Sequence, residues 1–355
     1  MQSGSTTPQV PAGTARYQRE LQTGIQAVRL AAQLCRSVQA GIAAPAAAQS
    51  VMVKEDRSPV TVADFGSQAL ICAALHQAFP DDPIMAEEDA ASLALPQNGA
   101  ILSAVTRQLQ QVRPDASSDT IRSWIDRGRT REFRERFWSL DPIDGTKGFL
   151  RREQYAISLA LIVDGRVELA ILGCPNLPQS CDSSNSSEAT AAPGLIFHAI
   201  RTQGAWSVPI SDAEPAPAPA SLPASLHVSL ESAPARARFV ESVEAAHSSH
   251  SDAAQLAERM HIVRPPLRMD SQAKYATVAR GDAEFYLRMP TRADYREKIW
   301  DHAGGMLLVA EAGGTVTDIS GKTLEFHHGP ELLENRGVVA SNGVLHDFIL
   351  AALRR

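Results

Sequence analysis

An α/β layered fold is predicted by three observations. Short apolar runs of strand character alternate along the chain with stretches of helical period, an Asp-Gly hairpin signal stands near the middle, and 355 residues at 44% hydrophobic content suffice for a large core. Leu21, Ile25, Val28, Ala32 and Cys35 follow one another in steps of four and three residues, which predicts a helix over 17–39 with one buried face. A second helical pattern covers 65–79 and is stopped by Pro80. Asp64 stands at its loop-to-helix boundary, where an aspartate often serves as an N-cap. The short apolar segment before Glu87-Glu88-Asp89 reads as a strand; the three acids after it read as a solvated loop or as a loop turning one carboxylate inward to a cation. Residues 90–136 are polar, helix-compatible and broken near Pro114, and read as peripheral.

The segments 155–163 and 166–172 flank Asp164-Gly165, a two-residue hairpin turn between apolar strands. Leu195–Ile200 and 205–208 make another pair around Gly204, while 179–193 and 213–225 are Ser-, Asn-, Pro- or Ala-rich excursions. The C-terminal half is expected to run as a helix over 235–246, a strand near Ile262, a helix after Gln272 and a strand over 283–288. A helix over 301–312 ended by Gly313-Gly314, strands near Thr315 and Val338, and a helix from Val344 complete it.

The charge balance limits the partners. A net charge of −6 offers no basic face for a nucleic acid, and no apolar run approaches the roughly 18 residues of a membrane span. Cys35, Cys72, Cys174 and Cys181 form neither a CxxC pair nor a dense framework, which points to buried thiols in a reducing compartment and away from zinc. Residues 1–19, with their Ser, Thr and two arginines ahead of the first acid, Glu20, read as a disordered tail, a transit peptide being the other option. The expected organisation is a tail over 1–16, an α+β domain with the metal site over 17–210, a Pro/Ala-rich loop over 211–226 and an α/β domain with the ligand pocket over 227–355.

Chemistry concentrates in Trp138-Ser-Leu-Asp-Pro-Ile-Asp-Gly-Thr-Lys-Gly-Phe149. Asp141 and Asp144 bracket a proline that stiffens the backbone, Gly145 permits a turn or a close ligand approach, and Thr146 adds a hydroxyl. Hard carboxylate oxygens suit Mg²⁺ or Mn²⁺; a polar turn whose aspartates cap a following helix is the other reading. Asp301, in Trp300-Asp-His-Ala-Gly304, is likewise a ligand candidate or a helix cap.

Glu87-Glu88, Asp141-Pro-Ile-Asp-Gly-Thr146 and Trp300-Asp-His-Ala-Gly304 resemble, in order and spacing, the three signatures of the lithium-sensitive, magnesium-dependent phosphatases related to inositol monophosphatase. The longer run from Asp141 to Arg151, together with Val243-Glu-Ala-Ala-His-Ser-Ser-His250 and Asp270-Ser-Gln-Ala-Lys-Tyr275, is similar to the 3′(2′),5′-bisphosphate nucleotidases within that superfamily. The resemblance spans roughly residues 20 to 350; Arg152-Glu153, 90–136 and the Pro/Ala passage near Ala216 depart from it.

It implies an αβαβα sandwich of the inositol monophosphatase and fructose-1,6-bisphosphatase type. It also implies hydrolysis of the 3′-phosphate of adenosine 3′,5′-bisphosphate (PAP) to AMP, and of its phosphosulfate analogue PAPS. By position, Glu87, Asp141, Asp144, Asp301 and the Ile143 carbonyl are implied to hold about two or three Mg²⁺ ions, with Asp64 and Thr146 activating water and Li⁺ and Ca²⁺ inhibiting. Gly145, Thr146, His247, Ser271, Lys274 and Arg288 are implied to bind the substrate, His302 being structural. Residue by residue, a pair such as His247 and His250 is more often a solvated helix end than a ligand pair, and Arg288 equally suits an outward-facing strand charge. The expected protein is a cytoplasmic monomer, or one imported into a plastid or mitochondrion, that binds no nucleic acid or membrane. The competing functions are an inositol phosphatase and a silent PAP sensor.

Overall fold

The computed structural model describes residues 16–41, 51–53, 59–178, 194–210, 223–244, 250–292 and 294–354. The expectations for the N-terminal tail, for most of the Pro/Ala-rich loop, for Cys181 and for His247 fall outside them.

Helix α1 (Gln18–Gly41) is followed by the β1 (Val51–Val53) and β2 (Pro59–Thr61) pair, helix α2 (Val62–Ala78), strand β3 (Ile84–Ala86), and helices α3 (Gly99–Gln110) and α4 (Ser118–Asp126). Then come β4 (Arg136–Asp144), α5 (Thr146–Leu150), and the antiparallel run β5 (Ala156–Val163), β6 (Arg166–Cys174), β7 (Leu195–Ile200), β8 (Ala205–Pro209) and β9 (Ala224–Ser225). With β3 parallel to β4 at one edge, these make a seven-stranded sheet in the order β3-β4-β5-β6-β7-β8-β9. The remaining elements are β10 (Phe239–Glu241), α6 (His250–Arg259), β11 (Leu267–Arg268), α7 (Ala273–Ala279), β12 (Phe285–Arg288), α8 (Ala303–Glu311), β13 (Thr315–Thr317), β14 (Val338–Ser341) and α9 (His346–Leu353). Their five strands form a second sheet in the order β11-β10-β12-β14-β13.

The two-residue period of the strands builds the layers. On β5, Ile157, Leu159 and Leu161 join the core shared with α1 and α2, while Ala156, Ala160 and Ile162 face the core shared with α7 and α8. On β12, Tyr286 faces α7 and α8, while Phe285 and Leu287 pack with Leu256 of α6 and Ile349 of α9. The result is helix, sheet, helix, sheet, helix: the αβαβα sandwich. Burial on both faces explains why β5 and β6 read as continuous apolar runs. Their turn, Asp164 (φ 50°) and Gly165 (φ 73°), has the two left-handed residues of a type I′ hairpin.

Two local expectations fail in the C-terminal half. Instead of a helix over 235–246, a single 3₁₀ turn at Pro234–Arg236 leads into β10, because Phe239 and Val240 are buried by pairing parallel to β12, and sheet pairing overrides local propensity. Ile262 lies not in a strand but in the turn after α6, where its N–H donates to Ala257 O at 2.9 Å; the strand forms later, at Leu267–Arg268. Cys35, Cys72 and Cys174 are buried and free.

Candidate active site

Pro142 shapes the site. It has no N–H to donate, and the β4–β5 register shifts between Asp141 and Asp144. The freed backbone is taken up locally. Asp141 Oδ1 accepts Ile143 N–H at 3.1 Å, and Pro142 O accepts the Ser67 hydroxyl of α2 at 2.9 Å. Helix α5 then starts at Thr146 with Gly145 as N-cap and no side-chain capping bond, so the aspartates do not cap it. Gly145 is required twice: its φ is +86°, and a Cβ there would stand 3.0 Å from Ser271 Cβ.

Asp64 is not an N-cap either. Thr61 caps α2 and Asp64 is its third residue, in a reciprocal capping box: Asp64 Oδ2 accepts Thr61 N–H at 2.8 Å and the Thr61 hydroxyl at 2.6 Å. That leaves Oδ1 facing Thr146 Oγ1 at 3.3 Å, and the same hydroxyl is 3.3 Å from Ile143 O. The Thr61-to-Asp64 spacing is a legible capping signature that the sequence analysis did not use.

Three chain segments deliver the other acids. Glu87 follows β3, its N–H donating to Leu140 O at 3.1 Å; Asp141 and Asp144 lie at the end of β4; Asp301 ends a 3₁₀ turn, Ile299–Asp301, so that α8 begins at Ala303 and not at Asp301. Burial drives the Asp141 carboxyl well above the usual range, and repulsion from Glu87, Asp144, Asp301 and Asp64 adds to it. Asp301 is raised by burial and by Asp144, against the pull of Arg288. Asp144 is raised by burial, opposed by Lys274, by the Gln272 N–H and by Arg288. Several buried or half-buried carboxylates that repel one another, all hard oxygen donors, fit a divalent cation of the magnesium type. Asp301 also belongs to a tighter set with Glu297 and His302, whose donor atoms lie within 4.8 Å of one another, but Glu297 is already engaged by Arg288 and His302.

The cationic side faces Asp144. Lys274 is buried and donates to Ser271 O at 2.7 Å; burial lowers it to about 8, with Asp144 and Asp270 pulling the other way. Ser271 holds a left-handed φ of 70°. Arg288 is not an outward-facing charge: it bonds Glu297 Oε1 at 3.2 Å and Tyr295 Oη at 3.3 Å. Burial pushes Glu297 up, but Arg288 and His302 outweigh it and hold Glu297 at about 2. His302 bridges Glu297 and the Tyr275 hydroxyl, a structural position.

Gln272 escaped the sequence analysis although it lies between Ser271 and Lys274. Its N–H donates to Asp144 Oδ2 at 2.6 Å, its Oε1 accepts from Ser158 at 3.2 Å and from Gly305 N–H at 3.1 Å, and its Nε2 donates to Trp300 O at 2.9 Å. An uncharged amide carries no chemical signature that would single it out.

Residues 18–355 match the family described as the inositol monophosphatase family. The chain is 41% identical over 329 residues to a 3′(2′),5′-bisphosphate nucleotidase of Emericella nidulans, covering 87% of this chain and 91% of that one. It is 40% identical to the enzyme of the same name from Schizosaccharomyces pombe, over 95% of each chain. Its fold resembles a Thermotoga maritima IMPase structure with a TM-score of 0.61 at 22% identity, over 94% of this chain and 96% of that one. No helix among the described residues is long and apolar enough to cross a membrane. A family match over nearly the whole chain and close relatives covering most of it agree with the layered fold: the chain belongs to the inositol monophosphatase family.

Proposed function

We propose that this chain is a Mg²⁺-dependent phosphatase that removes the 3′-phosphate of adenosine 3′,5′-bisphosphate to leave AMP, and acts in the same way on the 5′-phosphosulfate analogue. One observation carries the reading: Asp144 feels both the repulsion of the neighbouring carboxylates and the pull of the buried Lys274, and its Oδ2 accepts the N–H of Gln272, two residues before Lys274, at 2.6 Å. A monophosphate requires only the acidic side with its cations, whereas a bisphosphate also requires a fixed positive charge beside it. The names of the relatives support the nucleotide.

The family is generally magnesium-dependent. Glu87, Asp141, Asp144, Asp301 and the Ile143 carbonyl would hold the ions, which when bound supply charge neutralisation at the phosphoryl oxygens and acidify water. The chain supplies the rest. Asp64, with Oδ2 committed to its capping box, keeps Oδ1 for the Thr146 proton, so Thr146 Oγ1 can accept a proton from water while passing its own to Asp64. Gly145 keeps the backbone beside Thr146 open, and Ser271, Lys274 and Arg288 bind the nucleotide together with His247. Li⁺ and Ca²⁺ inhibit.

Phosphate release should be measured with Mg²⁺ on the two adenosine nucleotides, inositol 1-phosphate, inositol 1,4-bisphosphate and fructose 1,6-bisphosphate, and then with Li⁺ or Ca²⁺ added. The expected result is a clear preference for the nucleotides, suppressed by either ion. Faster turnover of a sugar or inositol phosphate overturns the assignment.

A further inference from the structure

We propose that Glu325, His327 and His328, in the connection between β13 and β14, form a second metal site, for a transition cation of the zinc class. Their donor atoms lie within 4.8 Å of one another. Nε2 of His327 is 3.5 Å from Glu325 Oε2 and Nε2 of His328 is 3.2 Å from the same oxygen, with ring centroids 4.0 Å apart. Zinc bonds of about 2.0–2.1 Å in tetrahedral geometry put neighbouring ligand atoms about 3.3 Å apart, so two of the three edges are already formed. Lys322 Nζ sits 2.9 Å from the other Glu325 oxygen, Oε1, and leaves Oε2 to the imidazoles.

Two imidazoles and one carboxylate make a poor site for Mg²⁺ and a good one for Zn²⁺, so this site and the carboxylate site select different ions. Each ring would present the Nε2 lone pair with its proton on Nδ1. His327 is 48% exposed along its side chain, which leaves room for water as a fourth ligand.

Neighbouring segments hold Glu325 and His327 in place. Glu325 N–H donates to Asn335 Oδ1 at 2.9 Å, and Gly165 of the β5–β6 turn backs His327 so closely that a Cβ there would lie 3.1 Å from His327 Cβ. Just beyond, Pro330 O accepts Ile299 N–H at 3.1 Å and Glu331 Oε1 pairs with Lys298 at 2.6 Å. A bound ion would therefore stiffen the strap that carries the Ile299–Asp301 turn.

The test is Zn²⁺ titration of the full chain by calorimetry with Mg²⁺ saturating, repeated with His327→Ala, His328→Ala and Glu325→Gln, and followed by Co²⁺ as a visible-absorption probe. The expected result is one Zn²⁺ per chain at micromolar affinity or better and a tetrahedral Co²⁺ spectrum. Each histidine variant should weaken Zn²⁺ by more than the roughly 10- to 100-fold lost with an outer-shell partner, and should lose the Co²⁺ spectrum. Zn²⁺ binding that is undiminished in all three variants, or no binding to the unmodified chain, overturns the site. The ligands are surface residues, so melting curves in chelator that match the unmodified protein separate loss of the ion from loss of the fold.

Discussion

Gln272 donates its backbone N–H to Asp144 Oδ2 at 2.6 Å, across 128 residues of sequence. This bond ties the acidic end of β4 to the turn at Ser271 and the start of α7, which carries Lys274. The same residue's amide side chain reaches Ser158 of β5, Gly305 of α8 and Trp300 beside Asp301.

Gln272→Ala should therefore act on both stability and turnover. It leaves the Gly305 N–H and the Trp300 carbonyl without their side-chain partner in a buried place, which costs about 1–3 kcal/mol per unsatisfied group. Urea unfolding should show that loss, and kcat should fall as Asp301 loses its brace. Unchanged kcat in a folded variant would show that Trp300 holds its position without Gln272.

Asp64→Asn and Thr61→Val separate the two roles of the capping box. Both should lose about 0.5–2 kcal/mol of helix capping. Only Asp64→Asn removes the acceptor of the Thr146 proton, so its kcat should drop by a further 10²–10⁴-fold, approximately. Equal kcat values in the two variants would remove Asp64 from proton transfer.

Lys274→Met is the informative change on the substrate side. Lys274 is buried, donates to the carbonyl oxygens of Ser271 at 2.7 Å and Met269 at 3.5 Å, lies over the Tyr286 ring, and acts on Asp144 through charge. Its loss should raise KM for the bisphosphate far more than for AMP-sized monophosphates, which steady-state kinetics can resolve. Arg288→Met, by contrast, leaves Glu297 buried without its cation, at a cost of roughly 3–5 kcal/mol, so its kinetic effect will be mixed with unfolding.

His198 gives the fold a dependence on acid. Burial lowers it from 6.5 to about 4, so the folded state binds fewer protons than the unfolded one. Its contribution is fully present above the unfolded value and is lost as pH falls from about 6.5 toward about 4, up to roughly 3 kcal/mol in all. Chemical denaturation across that range should show the slope, and His198→Phe should flatten it. A slope identical in the variant would assign the acid sensitivity to other groups.

How much of this was legible beforehand follows from range. The Asp164-Gly165 hairpin, the α1 stripe and the Asp141-to-Thr146 motif are local patterns, and the structure keeps each at its expected place. The misread elements, 235–246 and the strand near Ile262, lie where short segments obey the second sheet: β10 and β11 span three and two residues and exist only through pairing with neighbours.

The order of residues alone thus determined the class of fold, the acidic ligand candidates and the glycine at position 145, because periodicity, hard oxygen donors and a left-handed turn are written within a few neighbours. Only tertiary structure decided that Asp64 Oδ1 meets the Thr146 hydroxyl, that Arg288 is already held by Glu297, and that Gln272 braces the site. Those are relations between segments that meet by burial in the layered core, and hydrogen-bond partners chosen by long-range packing leave no local trace.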